Sequence, residues 1–375
     1  FDISNDSSTQ KVVVNFVDED NSIIGEEAFM NPANSEEFTI GYYLSKELGM
    51  FDFDFGFRLD QIERSGSVSE EEHEDEHGDD HGDEHGDEHG EVDYYNIDDT
   101  TSSFAVTLGR SLSDNLDVSL GYASFERLPS SIELFMNGPH MATGRFEVGD
   151  PNLNSETSNN FDVTFNFDNG DFYAFASFYI TDVDNYIALI DEEEEDHMDE
   201  DEHHEDEDEH HEDEDEHDDH GNLIHANYMQ KDAEFDGYEI EFGRSFDLGS
   251  GELALSFGRD VVNAEFADGH NVPRINPARN IYSLVYTQDD LLFKLMLKDV
   301  EKQNDFGEGE TATDSYQMLN TRLTKTFNAM GNGELKVSLF ANNLLDEVAR
   351  NHSSFVKDEV PLPGRNYGLK FNLTF

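Results

Sequence analysis

The sequence predicts an all-β fold: a transmembrane, antiparallel, up-and-down β-barrel sheet of about 14 strands with long loops. Three observations predict it. Apolar and polar residues alternate with period two through most of the chain, the alternating runs are long, and short polar turns take turns with long irregular stretches.

The alternation is plainest in "FDFDFGFRLD". It puts Phe51, Phe53, Phe55, Phe57 and Leu59 on one face and Asp52, Asp54, Arg58 and Asp60 on the other. "FDVTFNFD" sets Phe161, Val163, Phe165 and Phe167 against Asp162, Thr164, Asn166 and Asp168, and "ELALSF", "ELKVSLF" and "YGLKFNLTF" repeat the device. The runs fall at residues 10–17, 36–47, 50–63, 93–111, 115–127, 156–169, 171–190, 228–248, 250–265, 278–288, 291–303, 314–328, 331–342 and 364–375.

Many exceed the five or six residues usual in soluble sheets, and transmembrane strands need about nine to eleven. One face is rich in Phe, Leu and Val, the other in Asp, Asn, Thr and Arg, as lipid and a wet lumen require. A soluble sandwich would have shorter strands and less segregated loops. "SLSDN", "DNGD", "LGSG", "QDD" and "NAMGNG" serve as tight turns. Residues 18–35, 64–92, 128–155, 191–227, 266–277, 304–313 and 343–363 read as long loops at the opposite end. Trp is absent, so interface girdles fall to Phe and to tyrosines such as Tyr42, Tyr43, Tyr94, Tyr95, Tyr282 and Tyr286.

Charge narrows the ligand class. The 375 residues carry 87 acids against 22 basic residues, a formal net charge of −65. Nucleic acid is excluded, because neutralising phosphates takes clustered Lys and Arg. Cations are the favoured ligands. Cysteine is absent, so thiolate metal sites and disulfides are absent too. No nucleophile elbow, phosphate loop or His-Glu-x-x-His string is present, so the chain reads as no enzyme and calls for no catalytic cofactor.

Two tracts hold 35 of the 87 acids and no Lys or Arg. In the first, assigned as a loop over 66–91, His73, His77, His81, His85 and His89 recur every fourth position among Asp and Glu. The second, 191–220, carries His197, His203, His204, His210, His211, His217 and His220. Interspersed glycines and repulsion among carboxylates oppose a helix in the first tract. A purely acidic run reads as a solvated surface, but twelve histidines in a chain with only four elsewhere do not. Imidazole with carboxylate suits zinc first, then copper or nickel, whereas carboxylate alone suits calcium or magnesium. Both tracts fall in long-loop positions, and they are expected to concentrate scarce metal at the mouth of a pore.

Two longer strings carry a resemblance. "ASFERLPSSIELFMNGPHMATGRFEVGDPNLNSETSNNFDV" (123–163) resembles the long extracellular loop and following strand of TonB-dependent outer-membrane receptors, most of all their zinc-uptake branch. "NNLLDEVARNHSSFVKDEVPLPGRNYGLKFNLTF" (342–375) is similar to the C-terminal end of the same receptors, down to the terminal Phe375. "IGEEAF" (24–29) and "DAEFDGYEIEF" (232–242) match weaker strings of the family.

The resemblance implies a barrel of 22 strands in the outer membrane of a Gram-negative bacterium, with an N-terminal plug that contacts the TonB complex. On that reading residues 1–375 are the C-terminal part of the barrel, without the plug, and both tracts are extracellular. It also implies capture and import of a divalent metal ion, zinc before copper or nickel. His140 in "NGPHMATG" and Glu26 and Glu27 in "IGEEAF" are the candidates for a tighter site, with His225 and His352 as secondary candidates. Arg127 and Arg365 read as residues that close strands or pair with lumenal acids, and "ELFMNG" (133–138) as a short loop helix. Two alternatives stay open: a metal-buffering barrel that transports nothing, and a receptor for an iron chelate or haem, which needs axial His or Tyr ligands.

Overall fold

The computed structural model describes residues 1–5, 7–25, 28–69, 92–192, 223–328 and 333–375. All fourteen alternating runs form strands, and among the described residues three short strands and one helix join them. In chain order these are β1 Asp2–Asn5, β2 Ser8–Asn21, β3 Ala33–Leu48, β4 Phe51–Ser69, β5 Val92–Ser113 and β6 Leu116–Arg127. Helix α1 Ser131–Phe135 follows, then β7 Asn137–His140, β8 Arg145–Val148, β9 Glu156–Asp168, β10 Phe172–Asp191 and β11 Ile224–Asp247. The rest are β12 Glu252–Phe266, β13 Arg279–Gln288, β14 Leu291–Val300, β15 Tyr316–Asn328, β16 Glu334–Asn342 and β17 Asn366–Thr374.

Neighbours in sequence pair antiparallel from β1 to β6, and β6 then pairs β9 across the intervening insert. From β9 to β17 the ladder continues without a crossover, and the sheet is not closed. The period-two pattern sets its two faces. Phe242, Phe257, Tyr282, Leu297 and Leu319 stand side by side across β11 to β15. Val12, Tyr42, Phe57 and Phe104 make a second row across β2 to β5. Many of these outward side chains are exposed, and lipid is the solvent that suits such a face. The inward face is polar and internally bonded: the Tyr43 hydroxyl donates to Asp54 at 2.7 Å, and Thr39 and Arg58 both donate to Asp60.

The strands are too long for the bilayer alone. β4, β5, β10 and β11 have 19, 22, 20 and 24 residues, whereas crossing takes about nine to eleven. Their surplus projects from the end that carries the long loops, and the buried core lies there. Leu134 and Phe135 of α1 are fully buried and pack with Met30, Ala33, Leu153 and Ile187. Val272 and Phe266 join Ala188 and Ala233 in a second cluster.

The insert 128–155 is therefore no irregular loop. Ser130 caps α1 by accepting from the Glu133 N–H while the Glu133 side chain accepts from the Ser130 N–H, a reciprocal capping box. Phe135 lies flat on Gly66 of β4, where any β-carbon would enter its ring. β7 and β8 form a hairpin, and β8 runs parallel to the start of β11, Arg145 to Val148 beside Ile224 to Asn227. The insert thus crosses from β3 and β4 to β11 over the loop end.

The N-terminal boundary of each histidine-rich loop needs correction. Residues 66–69 belong to β4, paired with Val92 to Tyr95, because alternation in Gly66, Val68 and Tyr95 outlasts the apolar run that marks the strand in the sequence. Asp191 closes β10, because its carboxylate is taken by a buried arginine.

Candidate functional site

The hairpin β7–β8 carries His140, the candidate for a tighter site that lies among the described residues. Its turn closes with the Thr143 and Gly144 N–H groups donating to the His140 carbonyl, and Gly144 takes the left-handed conformation, φ 67°, that the reversal requires. Alternation then sorts β8: Arg145 and Glu147 share one face, Phe146 and Val148 the other. His140 lies opposite Arg145 in register and so joins the face of Glu147.

Glu147 is a buried carboxylate, its side chain only 2% exposed, and it demands donors. The Thr143 hydroxyl donates to Oε1 at 2.6 Å, and His140 Nδ1 stands 2.9 Å from the same oxygen. The His140 ring packs against Phe29, centroids 4.7 Å apart with the planes tilted by 32°, yet 30% of its side chain stays exposed. Tyr228, at the loop end of β11, has its phenol pushed well up by burial and by the charges of Glu147 and Glu133. It therefore stays protonated beside the carboxylate.

The same hairpin holds Ser69, the last described residue before the first tract, and Asp191, at the start of the second. At its β7 end the Asn137 side chain donates to the Ser69 carbonyl at 2.9 Å, and Asn31 donates to the Ser69 hydroxyl. At its β8 end the Arg145 guanidinium grips Asp191 through two bonds, 2.7 and 2.6 Å. The Ile224 N–H donates to the Gly144 carbonyl, and the Glu192 N–H to the His225 carbonyl. His140 stands between these two anchorages.

The remaining candidates are dispersed. His225 stacks on Phe146 at 5.2 Å, on the face of β8 away from Glu147. His352 is buried where three loops meet. Its Nδ1 bonds the Thr313 hydroxyl at 2.8 Å with the Lys357 amine 3.4 Å away, and Nε2 lies 3.7 Å from Glu310. Burial pushes the Lys357 ammonium down. Glu26, Glu27 and the histidines of both tracts lie outside the described residues. Among the described residues no three His, Asp or Glu side chains are grouped to hold one ion. A cleft of about 610 Å³ lined by Asp182, Asp184, Asp232, Glu234, Asp236 and Glu265 flanks β10 to β12, apart from the hairpin.

Sequence reasoning missed Glu147, Arg145 and Asn137. The one signal for the first two was "RFEV", two charged residues at period two inside a loop, which marks a short strand with a polar face. Arg127 and Arg365 pair with acids of the loop end rather than of the lumen: Arg127 bonds Glu133 of α1 and Glu156 at the start of β9, and Arg365 bonds Asp346 of the last long loop at 2.6 Å.

The sequence profile of the TonB dependent receptor-like β-barrel family matches residues 8–344. The chain belongs to that family. Membership places this TonB-dependent receptor barrel in the outer membrane of a Gram-negative bacterium, in a family of receptors and transporters rather than enzymes.

Among solved structures, the copper transporter OprC superposes with a TM-score of 0.66 at 16% identity, over 90% of this chain and 48% of that one. The FrpB iron transporter from Neisseria meningitidis (F5-1 variant) gives 0.61 at 14%, over 98% and 54%. The unliganded ferric citrate transporter FecA gives 0.59 at 13%, over 99% and 52%. At such identities the likeness concerns the fold, and the chain spans about half the length of these structures.

Proposed function

We propose that this TonB-dependent receptor captures and imports a divalent metal ion, zinc ahead of copper or nickel. The observation that carries the reading is the placement of His140: a partly exposed imidazole backed by a buried carboxylate, on a hairpin tied to the anchorages of both histidine-rich tracts. Imidazole with carboxylate is the donor set of borderline divalent ions. The tracts gather ions at the cell exterior, and His140, with Glu26 and Glu27 of the string that also carries Phe29, holds one above the lumen. Energy relayed by the TonB complex from the inner membrane then moves the plug and releases the ion inward.

The names of the structural neighbours keep a second reading in view, since they include iron-chelate transporters beside a copper transporter. Zinc-65 uptake by cells that rely on this receptor tests the choice. Uptake should require an energised inner membrane and a working TonB complex, and should yield to excess unlabelled zinc but not to calcium or ferric citrate. Uptake of a ferric chelate or haem without any of zinc would overturn the reading.

A further inference from the structure

Resting on that reading of His140 as a metal ligand, we infer that Glu147 is a positioning residue: it fixes the His140 imidazole so that Nε2 alone meets the ion. The geometry has three parts. His140 Nδ1 lies 2.9 Å from Glu147 Oε1, a hydrogen-bond distance. A carboxylate only accepts, so the proton between them belongs to Nδ1, and a neutral ring then carries its lone pair on Nε2. Among the described residues Nε2 makes no hydrogen bond, and 30% of the His140 side chain stays exposed.

Glu147 is itself badly placed to be the ligand. It is almost wholly buried, and Oε1 already receives both His140 and the Thr143 hydroxyl. What it can do is act through the ring. The tilted contact with Phe29 on one side and the bond to Glu147 at Nδ1 restrict the imidazole's rotation and set its tautomer. Negative charge behind Nδ1–H also makes Nε2 a better donor, as in other histidines that bind metals with a carboxylate behind them. Tyr228, protonated and adjacent, and Thr143 hold the carboxylate in turn. The hairpin therefore supplies one built ligand, and the ion's remaining ligands come from other segments.

The test uses outer-membrane preparations carrying the receptor, with zinc binding measured at pH 7.5 and copper(II) as a spectroscopic probe. The signal of interest is the part that His140→Ala removes. Pulsed electron paramagnetic resonance reads the quadrupole coupling of the remote imidazole nitrogen, which reports the bond at Nδ1. Glu147→Gln keeps the shape and removes the charge. It should weaken the His140-dependent zinc site roughly 10- to 100-fold and shift the remote-nitrogen coupling, while the barrel keeps its heat-modifiable gel mobility.

If Glu147→Gln fails to assemble, Glu147→Asp serves, since withdrawing the carboxylate by about 1.5 Å should move both readings the same way by less. Unchanged affinity and coupling in the variant, with His140→Ala still weakening the site, would overturn the role of Glu147 alone. No effect of His140→Ala would overturn it together with the reading beneath it.

Discussion

Arg145 and Asp191, 46 residues apart in sequence, meet in a two-pronged ion pair with both side chains buried. The Arg145 guanidinium also lies over the Phe355 ring at 4.6 Å, and Arg274 covers the same ring at 4.2 Å. One contact thus joins the hairpin, the end of β10 and the last long loop.

Removing one member of a buried pair strands the other without water, at a cost of about 3–5 kcal/mol. Arg145→Ala or Asp191→Asn should therefore loosen the loop end without unmaking the sheet. Protease cleavage within 128–155 on intact cells should rise in each single variant. Arg145→Met with Asp191→Leu should restore much of the protection, because two apolar side chains leave no orphan charge. Equal cleavage in single and double variants would show that the pair does not hold the insert.

The insert's own core makes a separate prediction. Leu134 and Phe135 are fully buried against β3 and β4, so truncating either to Ala should cost about 2–5 kcal/mol. That loss falls on the loop end only, and the folded barrel should still migrate as a heat-modifiable species. Gly66→Ala should reproduce the phenotype from the opposite side of the contact, since its β-carbon enters the Phe135 ring. A barrel that fails to assemble in the Leu134 variant would mean that the insert is part of the sheet's own stability.

Acid should open the junction of the last three loops. Burial pushes the Glu310 carboxyl up, but His352 and the N–H groups of Arg274 and Gly307 outweigh it and leave it below its ordinary 4.5. A carboxyl depressed on folding contributes stability above its unfolded pKa and loses it as pH falls through the folded value. Cleavage of 301–315 and 343–365 by an acid-active protease should therefore climb below about pH 4.5, and Glu310→Gln should flatten that rise. A profile with the same steepness in the variant would assign the transition to other groups.

The sheet was legible because period two survives burial and exposure alike: both faces of a barrel strand are patterned, whichever solvent each meets. All fourteen runs formed strands for that reason. Four-residue β7 and β8 were not legible, because Pro139 and Gly138 break the pattern and β8 draws its stability from a partner about 80 residues away, a pairing that no local window holds. His140 stood out by its string, whereas Glu147 and Arg145 looked like two more charges in an acidic chain. Their meaning comes from burial, and burial comes from the insert folding across the loop end.

The tracts have a prediction of their own. Ligating imidazoles must be neutral, so protons compete near the free histidine pKa of about 6.5. A peptide of residues 191–220 should bind zinc in the micromolar class at pH 7.5, far more weakly at pH 5.5, and calcium weakly throughout. Calorimetry giving equal zinc and calcium affinities, or no loss in acid, would leave the histidines incidental.

Gathering and specific holding are separable, and zinc-65 uptake against zinc concentration in energised cells separates them. Deleting 70–91 and 193–222 should slow uptake only when zinc is scarce, because the hairpin and the lumen remain. His140→Ala removes a ligand from a site with few, a loss of several kcal/mol by order of magnitude. Its curve should stay displaced until zinc is raised far further than the tract deletion needs. A His140→Ala curve that overlays the parent at every concentration would contradict the site on the hairpin.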